Sequence, residues 1–318
     1  MSRSVTELGQ LRAETRLTGV SAQHLLAALF NAGIAVSVGA TVLSLGMTFT
    51  VRELVAPLHR KLLVVAMVVV NAAVIPGAAW GIAELSPMAS KYVPGLVLAT
   101  IGAGSAASLK AAQLAKRADL PLAVSVVVVL QLVNIVAVPL WAGQVVTGAS
   151  ISAWSVVRSL LLLVLLPLAA GLVIRARYAD HAKNWQPELV KAANLALVVA
   201  LATGISANWS TIVSMFGSWV IVTAIIIIVI AGVLGLLPGL LLGGRSAEVR
   251  TTTGMVSVFR FASLGLIIIG AQLGGNPVYL GPALTFALVD FIVPLALAVE
   301  IGHRARTPEP APAHSARP

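Results

Sequence analysis

The chain has 318 residues, of which 58% are hydrophobic and only 10% charged, and its mean hydropathy is +0.98; an ordinary soluble domain does not reach such values. A formal net charge of +10 would suggest nucleic acid in a soluble protein, but in a chain this apolar it has another source, because the cytoplasmic loops of membrane proteins are enriched in Lys and Arg. The absence of cysteine excludes disulfides, thiolate metal sites and cysteine nucleophiles together.

In chain order, residues 1–22 are polar, lack the short apolar core of a signal peptide and carry at Ser4 and Glu7 the spacing of a helix capping box. They predict a short interfacial helix. Beyond them the pattern changes to long apolar runs such as SVVVVLQLVNIVAVPLW at 125–141. A run of about 20 apolar residues crosses the hydrocarbon core as a helix, since each backbone polar group must be satisfied within its own segment. Nine such runs predict an all-α, multi-pass protein of the inner cell membrane, with a transmembrane domain over 23–302: 24–48, 62–84, 93–114, 120–142, 154–176, 193–208, 216–243, 252–274 and 282–301. Residues 303–318, rich in Pro and Ala, are expected to be disordered. Lys and Arg gather at 52–61, 116–117, 175–191, 245–250 and beyond 303, which assigns those segments to the cytoplasmic side.

Two distant segments are alike. ASL at 107–109 is followed by LVNIVAVPL at 132–140, and ASL at 262–264 by LVDFIVPL at 288–295; the serine-to-polar spacing is 26 in one copy (Ser108 to Asn134) and 27 in the other (Ser263 to Asp290). The copies would run in opposite directions through the bilayer. Inverted repeats of this kind mark secondary transporters, whose sites lie near the midplane at interrupted helices.

The polar residues inside the runs are the candidate site. GAGSAAS at 102–108 weakens a helix through two glycines and two serines. Arg260 lies some nine residues into its run, roughly 14 Å deep, where an arginine costs between about 3 and 10 kcal/mol unless it faces protein, water or an anion. Asp290 is equally hard to place against lipid. Two arrangements are open: an Arg260–Asp290 ion pair holding two helices together, or an Arg260 that faces an aqueous cavity and receives an anionic substrate. Lys110 either snorkels to the interface or joins it. Asn71, Gln131 and Asn134 are able to bond across helices. No P-loop, zinc spacing or nucleophile elbow occurs, so an enzyme is not expected.

The order of motifs resembles the bile acid:sodium symporter family over about 30–302. LGMTFT at 45–50 with VNAAVIP at 70–76 is similar to its early helices, GSAAS at 104–108 with LAKRADL at 114–120 to its first crossover, and TTTG at 251–254, ASLGL at 262–266 and GPALTF at 281–286 to its second crossover and last helix. The resemblance implies two broken crossover helices and a panel domain (24–48, 154–176, 193–208) moving against a core domain (62–142, 216–301). The polar residues inside the runs give the candidate substrate site Arg260, Asp290, Lys110, Asn134 and Ser263, of which Asp290 is similar to a polar cavity position of the family's last helix. Departures from the family pattern concern sodium. Leu109, Ala123 and Val127 stand where the family presents polar groups, and VFRF at 258–261 stands where it has a carboxylate. Ser108, Asn71 and Ser257 are left as degenerate sodium positions, too few oxygens for a hard cation.

The expectation is therefore a secondary transporter of a small organic anion, working by alternating access with weak or absent sodium coupling. It needs no cofactor and no nucleic acid, only the bilayer and its substrate, and a monomer suffices. A conventional sodium-coupled symporter and a non-transporting receptor or regulatory subunit are the alternatives. Asp290, as a protonatable group, offers coupling to protons.

Overall fold

A computed structural model of the protein describes residues 2–304 apart from 51, 53, 54, 56–58, 106, 116, 117 and 147–152. All regular structure among the described residues is helical. The helices are α1 (Ser2–Thr48), α2 (Lys61–Leu85), α3 (Val93–Thr100), α4 (Ala107–Leu114), α5 (Leu120–Val145), α6 (153–177), α7 (Ala179–Ala207), α8 (Trp209–Met215), α9 (Val220–Leu242), α10 (Ala247–Val258), α11 (Ala262–Gln272) and α12 (Pro277–Arg304). Among the described residues seven segments are long and apolar enough to cross a membrane: Leu25–Thr48 of α1, α2, α5, α7, α9, α10 with α11 taken together, and α12. The chain is a multi-pass membrane protein.

The expected run at 93–114 is two eight-residue helices, α3 and α4, and that at 154–176 is divided by a π turn at Leu161–Leu165, just ahead of Pro167. Backbone is helical from Ser2 straight into the first span, so Ser4 is inside the helix rather than at its cap and the expected N-terminal helix is continuous with that span. Likewise α7 starts at Ala179, not 193. Hydropathy falls across 179–192, but Ala, Lys and Glu there are good helix formers and Lys191 pairs with Glu188 one turn away at 2.7 Å. Residues 305–318, expected to be disordered, lie outside the described residues; His303 and Arg304 end α12.

Helices α1, α6 and α7 pack on one another through small residues, as membrane helices do when backbones must come close. A Cβ at Gly46 of α1 would lie 2.5 Å from the Leu168 carbonyl of α6, and one at Gly33 would lie 2.9 Å from that of Ala196 in α7. The remaining helices form a second group: α12 lies against α3, α9 and α11, α10 against α9 and α4, and α2 against α3 and α9. Met67, Val127 and Phe286 are fully buried there, whereas Leu62, Leu195 and Leu241 are more than 60% exposed on the outside. In water that surface would aggregate; lipid is its natural solvent. Exposed Trp209, Phe216 and Trp219 mark one end of the bundle, and Tyr178 and Trp185 mark the other, matching the aromatic belts of the two interfaces.

Candidate functional site

The site begins with a proline. Pro76 in α2 has no N–H to give, and Ile75 just before it bonds to Val70, five residues back, closing a π turn over Val70–Val74. The carbonyls of Asn71 and Ala72 are thereby left without helical donors. Side chains from other helices take both. The indole Nε1 of Trp141 donates to Ala72 at 2.7 Å, and Nη2 of Arg260 donates to Asn71 at 2.9 Å. Trp141→Phe, which keeps the ring and removes the donor, should cost about 1–2 kcal/mol of stability, read as a lower melting temperature in detergent.

Two interrupted stretches meet α2 here. The first runs over 101–106 between α3 and α4, where Gly104 sits at φ +73, a left-handed conformation that favours glycine. Asn134 of α5 holds it: Nδ2 donates to the Ala103 carbonyl at 2.8 Å while Oδ1 accepts the Ala103 N–H at 3.1 Å. Gln131, one turn earlier, donates to the Gly104 carbonyl at 2.8 Å. The second break is 259–261, between α10 and α11, where Phe259 turns extended (φ −83, ψ 114) and Phe261 leaves the helical region (φ −90, ψ 63). The breaks are in backbone contact. Phe261 donates its N–H to the Gly102 carbonyl at 3.0 Å, and a Cβ at Gly102 would lie 2.5 Å from the Phe261 oxygen.

Arg260 lies at this contact and is only 2% exposed. Nε donates to the Thr100 carbonyl at the end of α3 (2.8 Å), Nη1 to Oδ1 of Asn71 (3.0 Å) and Nη2 to the Asn71 carbonyl (2.9 Å). Charge-assisted bonds contribute about 1.5–3 kcal/mol each, so three of them offset a cost of the size expected for an arginine at this depth. The cation also rests on the negative end of α3. The guanidinium is buried with its bonds directed to protein oxygens, and the ion pair with Asp290 that was one of the two open arrangements is not among the ion pairs of the described residues. Asp290, 5% exposed on α12, instead accepts the main-chain N–H of Arg260 through Oδ1 at 3.1 Å.

The other expected residues divide. Asn71 and Ser257 join the Arg260 cluster, the asparagine Nδ2 donating to Ser257 Oγ at 2.9 Å and to the Met67 carbonyl at 3.0 Å. Asn134 holds the first break. Ser108 is fully buried but turned inward, its hydroxyl donating to the Ser105 carbonyl at 2.6 Å. Ser263 is half-buried in the first turn of α11. The side chain of Lys110, on α4, lies outside the described residues. What the sequence did not offer is the acceptor set: Thr100, Ala72 and the Asn71 backbone act through carbonyls, and the only written signal is the position of Pro76 five residues after a buried asparagine.

The positions expected to be degenerate sodium ligands all have protein partners: both oxygens of Asn71 and the Thr100 carbonyl accept from Arg260, the Ser257 hydroxyl accepts the Asn71 amide, and that of Ser108 donates locally. Among the described residues no cluster of three or more His, Asp or Glu is able to hold another metal. The arrangement provides a fixed positive charge, bonded to α2 and α3, at the junction of four half-helices.

A search of curated proteins finds no match to this chain. The model of the sodium bile acid symporter family matches residues 35–235, more than half of the chain, a stretch that takes in the first break and ends before the second. With its apolar helices and that match, the chain belongs to the sodium bile acid symporter family, a family of transporters.

Proposed function

We propose that this protein carries a small organic anion across the inner membrane by alternating access and that it does so without sodium. In this reading the chain passes the bilayer nine times, with α3–α4 and α6 as the passages beyond the seven long apolar segments. Helices α1, α6 and α7 are the panel against which the remaining helices move. The single observation that carries the sodium-free reading is the seating of Arg260 on the oxygens of Thr100 and Asn71. Broken helices of transporters use freed carbonyls and half-helix C-termini to hold a coupling cation. Here a guanidinium that never loses its charge and cannot diffuse away occupies that role. Its field in a low-dielectric interior reaches beyond its own contacts, and it acts on a substrate anion together with the N-termini of α4 and α11.

Purified protein in liposomes tests this with taurocholate, pantoate and pyruvate as probes. Uptake is expected to be the same when external sodium is replaced by choline. Uptake rising steeply with sodium would establish a conventional symporter instead. A protein that moves none of the probes, yet melts higher in their presence, would be a receptor.

A further inference from the structure

We propose that Asp290 is the proton-exchanging group of this transporter. One proton, taken from water on one side and released to water on the other, rides on the Asp290 carboxylate together with each anion. The proposal rests on the transport reading above and supplies the driving ion that the reading lacks.

Asn134 and Asp290 occupy corresponding places in the repeated segments and do corresponding work, each holding the backbone of one helix break. Their chemistry differs. An amide donates and accepts at every pH, so Asn134 grips both sides of Ala103 permanently. An ionised carboxylate only accepts, and on taking a proton it becomes a donor as well and a weaker acceptor. Protonation of Asp290 therefore loosens its hold on the Arg260 N–H, at the point where α10 ends and α11 begins. The first break is fixed and the second is adjustable.

The electrostatics link the proton to the anion. Arg260 turns its guanidinium to Thr100 and Asn71, and none of the ion pairs among the described residues includes Asp290. Asp290 nonetheless bonds the main chain of Arg260 itself, so the two charges belong to neighbouring groups and offset one another at a distance. A proton on Asp290 uncovers the Arg260 charge, which favours anion entry, and by linkage a bound anion favours the proton equally. Little else at this depth titrates. Helices α3, α8, α9 and α11 contribute no ionisable side chain; α4 carries Lys110; α10 has Glu248 and Arg250 only in its first turn; the charges of α7 lie between 180 and 191; Lys91 and Tyr92 sit in the turn before α3; and on α12 itself Tyr279, Glu300, His303 and Arg304 lie toward the ends.

One proton with one monoanion moves no net charge. In liposomes holding a trapped pH dye, an outside medium one pH unit more acid should concentrate taurocholate inside about tenfold, with internal acidification and no response to a potassium-valinomycin potential. Asp290→Asn should lose the gradient-driven accumulation, and Asp290→Glu should retain part of it. Infrared difference spectra of the protein between acid and alkaline pH, with no substrate present, should contain a carboxylic C=O band that Asp290→Glu shifts and Asp290→Asn removes. Accumulation by Asp290→Asn equal to that of the parent, or a parent spectrum whose band is unmoved by Asp290→Glu, would overturn the proposal even should the asparagine variant not fold. Absence of uptake by the parent would count against the transport reading alone, because the band reports on Asp290 without any substrate.

Discussion

Arg260→Met is expected to abolish anion uptake and to destabilise the protein by about 3–5 kcal/mol, the range seen when one member of a buried charged network is removed. The loss follows from what remains. Two carbonyls and an amide oxygen, on Thr100 and Asn71, would stay buried without donors, at about 1–3 kcal/mol each before relaxation. Arg260→Lys should fall between, because an ammonium on a flexible stem supplies charge without the planar fork that reaches α2 and α3 together. Detergent melting temperatures should therefore rank parent, lysine, methionine. Arg260→Ala adds a sharper measurement, since it opens a space lined by three oxygens: added guanidinium or sodium should raise its melting temperature and leave the parent unchanged. An alanine variant that melts and transports like the parent would remove Arg260 from the mechanism.

The architecture was largely legible because its causes are local. A run of apolar residues has one stable form in lipid, and GAGS at 102–105 writes the first break into the chain through Gly102, Gly104 and Ser105. The second break has no such mark. VFRF at 258–261 contains neither glycine nor proline, and its geometry is imposed from outside, by Gly102 on the Phe261 N–H and Asp290 on the Arg260 N–H; only resemblance to a family located it. The partners of Arg260 were misjudged for a related reason. Opposite charges on neighbouring spans suggest an ion pair, but the acceptors are the Asn71 side chain, the Thr100 carbonyl at the end of α3 and the Asn71 carbonyl released by the π turn before Pro76, and a carbonyl carries no letter in a sequence. Segment ends erred where hydropathy and helicity part, as at 179–192, where a polar stretch continues a helix that its apolar core defines. The repeat did more than count helices, since it paired Asn134 with Asp290, two side chains whose common task of holding a broken helix is visible only in three dimensions.

Whether Arg260 serves as scaffold or as charge is separable at Asn71, the one partner that meets its guanidinium through a side chain. Asn71→Asp keeps the acceptor for Nη1 and turns it into a charged one, while Ser257, an acceptor from the present amide, is able to rotate its hydroxyl and donate instead. The bond from Nδ2 to Met67 is lost, at about 1 kcal/mol, and a direct carboxylate–guanidinium pair offsets that. Stability should therefore change by less than about 1–2 kcal/mol. Transport should not survive, because the carboxylate cancels the permanent positive charge whether or not Asp290 holds a proton, and a buried neutralisation of this kind should lower uptake by about a hundredfold or more. Melting curves and taurocholate uptake on the same preparation decide it. A variant with parental melting and parental uptake would show that the guanidinium is needed only as a brace between α2 and α3, and the anion would then have to find its attraction elsewhere. A variant that is folded and inactive leaves the charge itself as the functional element, held by the same three oxygens that make its burial tolerable.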